Sequence, residues 1–182
     1  NITPDCLGVK TIKRTVATAH FSSMPDFKEL SMREVYVLET GVLAQTGVES
    51  ALQLKYLCDG IKPGAVIAVD SLACMETEKL GKTVQVTDSG ISPGSGVKNM
   101  RNEISRKTLG VPVIAVGVPT VADTVSVLDG RLKDFGEFYD TVIVPRDIDI
   151  LINRFAEIIA DALNRVLNPS LSKEELERLT LF

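Results

Sequence analysis

At 182 residues, 45% hydrophobic and 24% charged, the chain has the size and balance of one globular domain. Aromatic residues make up only 5% and Trp is absent, so the core must be built from Val, Ile, Leu and Ala, a bias suited to buried parallel strands. A net charge of −4 lacks the footprint of a general nucleic-acid binder, no signal peptide is visible, and no apolar run approaches the roughly 20 residues that span a bilayer.

Pro4 is a start signal for a helix over Asp5–Ala19, where Leu7, Val9, Ile12 and Val16 recur at roughly helical spacing. Val35–Val42 reads as a strand. A helix follows from Gly47 to about Cys58, stopped by Asp59-Gly60 and Pro63. Ala65–Asp70 is an apolar run closed by a carboxylate, the pattern of a central parallel strand. Thr83–Thr87 alternates like a strand, Val111–Val118 predicts a second buried strand ended by Pro119, Val121–Leu132 a helix, and Thr141–Val144 a short strand.

The clearest helix is Ile148–Leu167, with Ile148, Leu151, Ile152, Phe155, Ile158, Ile159, Ala162, Leu163 and Val166 as its apolar stripe and Asp147 as its cap. Pro169 closes it, and Ser172–Glu175 opens a last short helix. This alternation predicts a single-domain α/β fold in three α/β/α layers around a largely parallel sheet. No internal repeat or firm domain boundary is evident.

In open α/β sheets ligands bind beyond the carboxyl ends of strands, which makes Asp70 a candidate, although an Asp in that place also caps whatever follows the strand. Asp5, by itself, reads as an acidic residue favoured at a helix start. Glycines and a proline crowd the stretch Thr87–Arg101, a loop able to approach a ligand closely. It matches neither a Walker loop nor a dinucleotide fingerprint, so a substrate-shaping role suits it better. His20 is the sole histidine, which excludes His-rich metal sites and leaves any nucleophilic triad one possible base. Cys6, Cys58 and Cys74 lack zinc-type spacing and read as reduced, buried thiols of a cytoplasmic protein.

The run V-T-D-S-G-I-S-P-G-S-G-V-K-N-M-R (Val86–Arg101), followed by T-L-G-V-P-V-I-A-V-G-V-P-T-V-A-D-T (Thr108–Thr124), resembles the spore germination protease family. So do N-I-T-P-D-C-L-G (Asn1–Gly8), T-G-V-L-A-Q-T-G-V-E-S (Thr40–Ser50), I-A-V-D-S-L-A (Ile67–Ala73) and V-I-V-P-R-D-I-D (Val142–Asp149). The resemblance implies an atypical aspartic endopeptidase that degrades small acid-soluble spore proteins at germination, on a fold similar to that of hydrogenase-maturation peptidases. It places the two essential aspartates at Asp5 and Asp70 and implies a zymogen that assembles as a tetramer in the forespore or spore core; no cofactor, metal, membrane or direct nucleic-acid partner is expected.

The chain departs from the family pattern at Cys74-Met75, at Lys98, in a short connector between Leu132 and Thr141, and in lacking the strand expected before Asn1; the pro-segment is expected to be missing as well.

Two carboxylates sharing a site resist joint ionisation, so one acts as base on water while the other, protonated, acts as acid. Asp88 and the backbone at Gly94, Ser95 and Gly96 are the expected substrate contacts. Two other readings use the same fold: a metal-dependent, maturation-type peptidase with the aspartates as ligands, and a non-catalytic spore binding or assembly protein.

Overall fold

The computed structural model describes residues 6–41, 43–93, 102–123 and 142–179, with the side chains of residues 26 and 28 excepted. Helix α1 (Leu7–Ile12) is followed by a 3-10 turn at Ala19–Phe21, then by α2 (Pro25–Glu29), α3 (Leu43–Thr46) and α4 (Ser50–Ile61). Strand β1 (Val66–Cys74), β2 (Gln85–Thr87), α5 (Arg106–Leu109), β3 (Val113–Asp123), β4 (Val142–Ile143), α6 (Ile148–Leu167) and α7 (Lys173–Leu179) complete the order. Among the described residues no helix is long and apolar enough to cross a membrane.

The sheet runs β1-β3-β2, with β4 also pairing β3. The long β1–β3 ladder is parallel, as the two apolar runs predict, but β2 and β4 both pair β3 antiparallel. The described sheet is therefore mixed rather than largely parallel, because the two short strands that border β3 run against it.

Residues on β1 and β3 alternate between two apolar clusters. Val116 and Val118, with Ile67 and Val69, pack with Leu7 of α1 and Ala156 and Ile159 of α6. Val113, with Val66 and Ala68, packs instead with Ala51 and Cys58 of α4 and Leu109 of α5.

Helix α1 is shorter than its periodicity suggests. Beyond Ile12 the chain is tied to α6 by one side chain: Asn164 Oδ1 accepts from Val16 N at 2.9 Å, and Asn164 Nδ2 donates to Arg14 O at 2.9 Å. Lys10 Nζ adds a bond to Asn153 Oδ1 at 2.6 Å. Asn164 thus belongs to the buried face of α6, with Ile152, Ala156, Ile159 and Ala160. Ile158 and Val166, expected in that stripe, are 60% and 64% exposed. Asp147 sits at the N-cap without a side-chain cap bond, which corrects its expected role.

Three other expectations change. Val35–Gly41 joins no ladder; Val35 is held by Thr18, whose N–H donates to Val35 O at 3.0 Å and whose Oγ1 accepts from Val35 N at 3.0 Å. Helix α4 passes through Gly60 to Ile61, and Lys62 in the left-handed region (φ 54°) then donates to Cys58 O, just ahead of Pro63. Strand β3 continues through Pro119 to Asp123, so residues 121–123 are strand rather than helix; the remainder of that expected helix lies outside the described residues.

Replacing Asn164 by Leu leaves the buried Val16 N–H and the part-buried Arg14 C=O without their partner. Stability is expected to fall by about 2–4 kcal/mol, read from the denaturant midpoint. Asn164→Asp, which keeps the acceptor but not the donor, is expected to fall between the two.

Candidate active site

Asp70 is the fifth of the nine residues of β1, opposite Gly117 of β3, so it lies within the strand rather than at its end. It is half-buried, and its Oδ1 accepts from Ser71 N at 2.8 Å. Gly117 is required there for space: a Cβ would lie 2.5 Å from Cγ and Cδ1 of Leu72. Two residues beyond Asp70 the register slips. Leu72 pairs with Pro119 but Ala73 with Val121, leaving Thr120 as an extra residue in β3. Such bulges re-aim side chains and are frequent beside active sites.

Every residue from Val66 to Ala73 lines one cleft of about 470 Å³. Because both faces of β1 contribute, the cleft follows the strand's edge. Gly8, Val9 and Ile12 of α1 bound it, as do the extended residues Leu38–Gly41, Leu54 of α4, and the loop residues Ser92 and Pro93. Thr40 in the extended wall is anchored to α4, accepting from Ser50 Oγ at 2.9 Å and, through its carbonyl, from Gln53 Nε2 at 3.0 Å. Glu39 is a second carboxylate on this wall; sequence reasoning missed it because nothing marked that segment as facing β1.

The approach of α1 to β1 is close. A Cβ on Gly8 would lie 2.7 Å from the carbonyl oxygen of Val69, the residue before Asp70. Leu7, fully buried, fixes the helix start beside it. Asp5 itself lies outside the described residues, but the helix that begins two residues after it rests on the backbone next to Asp70.

Asp88 is placed differently from its expectation. It is exposed, in the turn after β2 where Ser89 N donates to Thr87 Oγ1 at 3.1 Å, and it does not line the cleft. Thr87 pairs with Ala115, which pairs in turn with Ala68, so Asp88 lies two strands across from β1, roughly 10 Å sideways. Gly94, Ser95 and Gly96 lie outside the described residues; the flanking Ser92, Pro93 and Ile104 all line the cleft. The bridge between Ile91 and Ile104 draws the two ends of that loop together, with N···O distances of 2.9 and 2.8 Å.

His20 is exposed in the 3-10 turn, its ring 3.7 Å from that of Phe21, and is absent from the cleft. Burial pushes the thiols of Cys58 and Cys74 up, reinforced by Asp59 and Glu76 respectively. A raised thiol holds little nucleophilic thiolate at neutral pH.

A family model described as germination protease matches residues 1–139. The germination protease of Clostridium acetobutylicum is 34% identical over 214 aligned residues, covering 98% of this chain and 65% of the relative. That of Clostridium perfringens is 35% identical, with 98% and 66% covered. The Bacillus mycoides protein, also a germination protease, is 43% identical over 141 residues, covering 75% of this chain and 38% of the relative. The chain thus spans about two thirds of the length of the clostridial relatives. With the family match running through the T-P-D-C-L-G stretch, β1, the cleft loop and β3, the chain belongs to the germination protease family.

Proposed function

We propose that this chain carries the catalytic domain of an endopeptidase acting in spore germination, with Asp5 and Asp70 as a carboxylate pair that activates water. The observation that carries this reading is the seating of α1 on Val69, which joins the chain just after Asp5 to the strand that bears Asp70, at the wall of an open cleft. The ionised member of the pair takes a proton from water as it attacks the peptide carbonyl. The protonated member donates to the carbonyl oxygen or the departing nitrogen. Their titration belongs to the pair and not to either residue.

The substrates in this reading are small acid-soluble spore proteins, met in the spore core. The fold is three-layered, with α1 and α6 on one face of the sheet and α4 and α5 on the other, as the two apolar clusters support. The enzyme assembles as a homotetramer and matures from a zymogen. Gly94–Gly96 supply substrate contacts, since the loop's described flanks line the cleft. Asp88, exposed and outside the cleft, holds no substrate contact in this reading.

Asp70→Asn and Asp5→Asn are each expected to fold as the parent does and to lower cleavage of a small acid-soluble spore protein by about 10²–10⁴-fold. Wild-type cleavage by folded Asp70→Asn protein would sink the assignment. Activity lost to a chelator and restored by a metal ion would turn the site into a metal centre with the same aspartates as ligands. Binding of the spore protein without cleavage would make the chain a binding protein.

Gly8→Ala sets a Cβ against the Val69 carbonyl and pushes α1 off β1. It is expected to cost about 1–3 kcal/mol of stability and to reduce cleavage in protein still folded at the assay temperature. Iodoacetamide at pH 7.5 is expected to alkylate Cys58 and Cys74 more slowly than a free cysteine, with the rate climbing only above the ordinary thiol pKa of about 8.5, followed by mass spectrometry.

A further inference from the structure

The motif T-G-V-L-A-Q-T-G-V-E-S (Thr40–Ser50) runs from the extended wall of the cleft to the first turn of α4, and its one acidic residue is not part of the aspartate chemistry. Glu49 is the N-cap of α4. Its backbone carbonyl accepts from Leu52 N and Gln53 N, both at 3.0 Å, but its carboxylate makes no cap bond to its own helix. Instead Glu49 Oε2 accepts from Asn102 Nδ2 and, at 3.4 Å, from Asn102 N, on a residue 53 positions further along the chain.

Asn102 lies two residues before Ile104, which lines the cleft and whose bridge to Ile91 closes the segment after β2. Ile104 is also buried in one cluster with Ala51 and Cys58 of α4. Helix α4 therefore meets this part of the chain twice. Apolar burial brings the two together but has no direction of its own; the carboxylate, accepting from both a side-chain and a main-chain N–H of one residue, gives the contact an orientation. The same turn of α4 holds the other wall: Ser50 Oγ donates to Thr40 Oγ1, and Gln53 Nε2 donates to Thr40 O and, at 2.9 Å, to Val48 O.

We infer that Glu49 is a positioning residue for substrate binding: it orients the chain from Asn102 to Ile104, so that the first turn of α4 holds two walls of the cleft in fixed relation. Thr40 belongs to one wall and Ile104 to the other, and both line the cleft together with Asp70. Glu49 itself is absent from that lining, so it acts through Asn102 and touches no reacting atom. A carboxylate suits the task because it only accepts, and both N–H groups of Asn102 converge on one oxygen. Its loss costs alignment of the walls and leaves the aspartates as they are. The inference rests on the peptidase reading for the nature of the substrate.

The test compares the full chain with Glu49→Ala, Glu49→Gln and Asn102→Ala. Hydrogen exchange followed by mass spectrometry reads residues 91–104, and steady-state cleavage of a fluorescently labelled small acid-soluble spore protein gives KM and kcat. In Glu49→Ala protein, exchange over 91–104 is expected to quicken and KM to rise about 5-fold, with kcat within about 2-fold of the parent. Glu49→Gln, which keeps an acceptor oxygen, is expected to match the parent. Asn102→Ala is expected to repeat the effect of Glu49→Ala, and the double variant to add nothing further, because the two residues act as one pair. The pair is exposed, so the melting temperature is expected to move by no more than about 2 °C.

Parental KM in Glu49→Ala protein overturns the inference. So does exchange that quickens throughout the chain, which would make Glu49 a general stabilising residue. A loss confined to kcat overturns it as well, since it would put Glu49 in the chemistry, and so does an equal loss in Glu49→Gln. Failure of the parent to cleave the probe is the separate sign that the peptidase reading has failed. Binding of the same probe, read by anisotropy, then stands in place of KM; equal affinity in parent and Glu49→Ala protein, or none in the parent, overturns the inference.

Discussion

The contact on which the site depends is the approach of α1 to β1 at Gly8 and Val69. Helices ordinarily keep their distance from a sheet because every residue brings a Cβ; here one residue does not, and the helix comes down onto a carbonyl oxygen. Leu7 is buried at the same place, and Val116 and Val118 of β3 pack beneath it with Ala156 and Ile159 of α6. Fixing α1 holds Leu7 and Gly8 against the strand that bears Asp70. Asn164 secures the other end of the same segment by satisfying a donor and an acceptor of the chain after α1. A wholly apolar stripe on α6 would leave both of those backbone groups without partners.

The second constraint is the irregular end of the β1–β3 ladder. Gly117 makes room for Leu72, Pro119 cannot donate, and Thr120 is inserted without a cross-strand partner. Each departs from what a regular strand prefers, and all three lie within a few residues of Asp70. Departures from local rules concentrate where a protein acts. The cleft at this point is walled by elements with little regular structure, including the extended 38–41 segment and the loop after β2. Positioned backbone on one side and an extended wall on the other suit a substrate read mainly through its main chain.

Much of this was legible in advance, and the reasons differ by element. The boundaries of α6 followed from 3.6-residue periodicity, and β1 and β3 from unbroken apolar runs, because burial imposes those patterns directly. Residues 35–41 have strand-like composition but join no ladder; composition describes a residue's own preference and not the availability of a partner edge. Pro119 marked the bulge rather than the end of β3, since a proline stops a strand only where its missing N–H is needed. Ile158 and Val166 satisfied the helical period yet face outward, while Asn164, polar by composition, is buried.

By itself the sequence determined the family and the main α/β elements and marked Asp70 as a candidate, because long motifs and periodic burial are written into consecutive residues. The tertiary structure alone decided that Asp70 lies within β1 and not at its end, that Asp88 follows a strand two places from β1, and that Thr120 and Glu39 line the cleft. Those facts depend on strand order and register, which set neighbours far apart in the chain. A one-residue slip between β1 and β3 leaves every residue's own preference unchanged and moves the whole site.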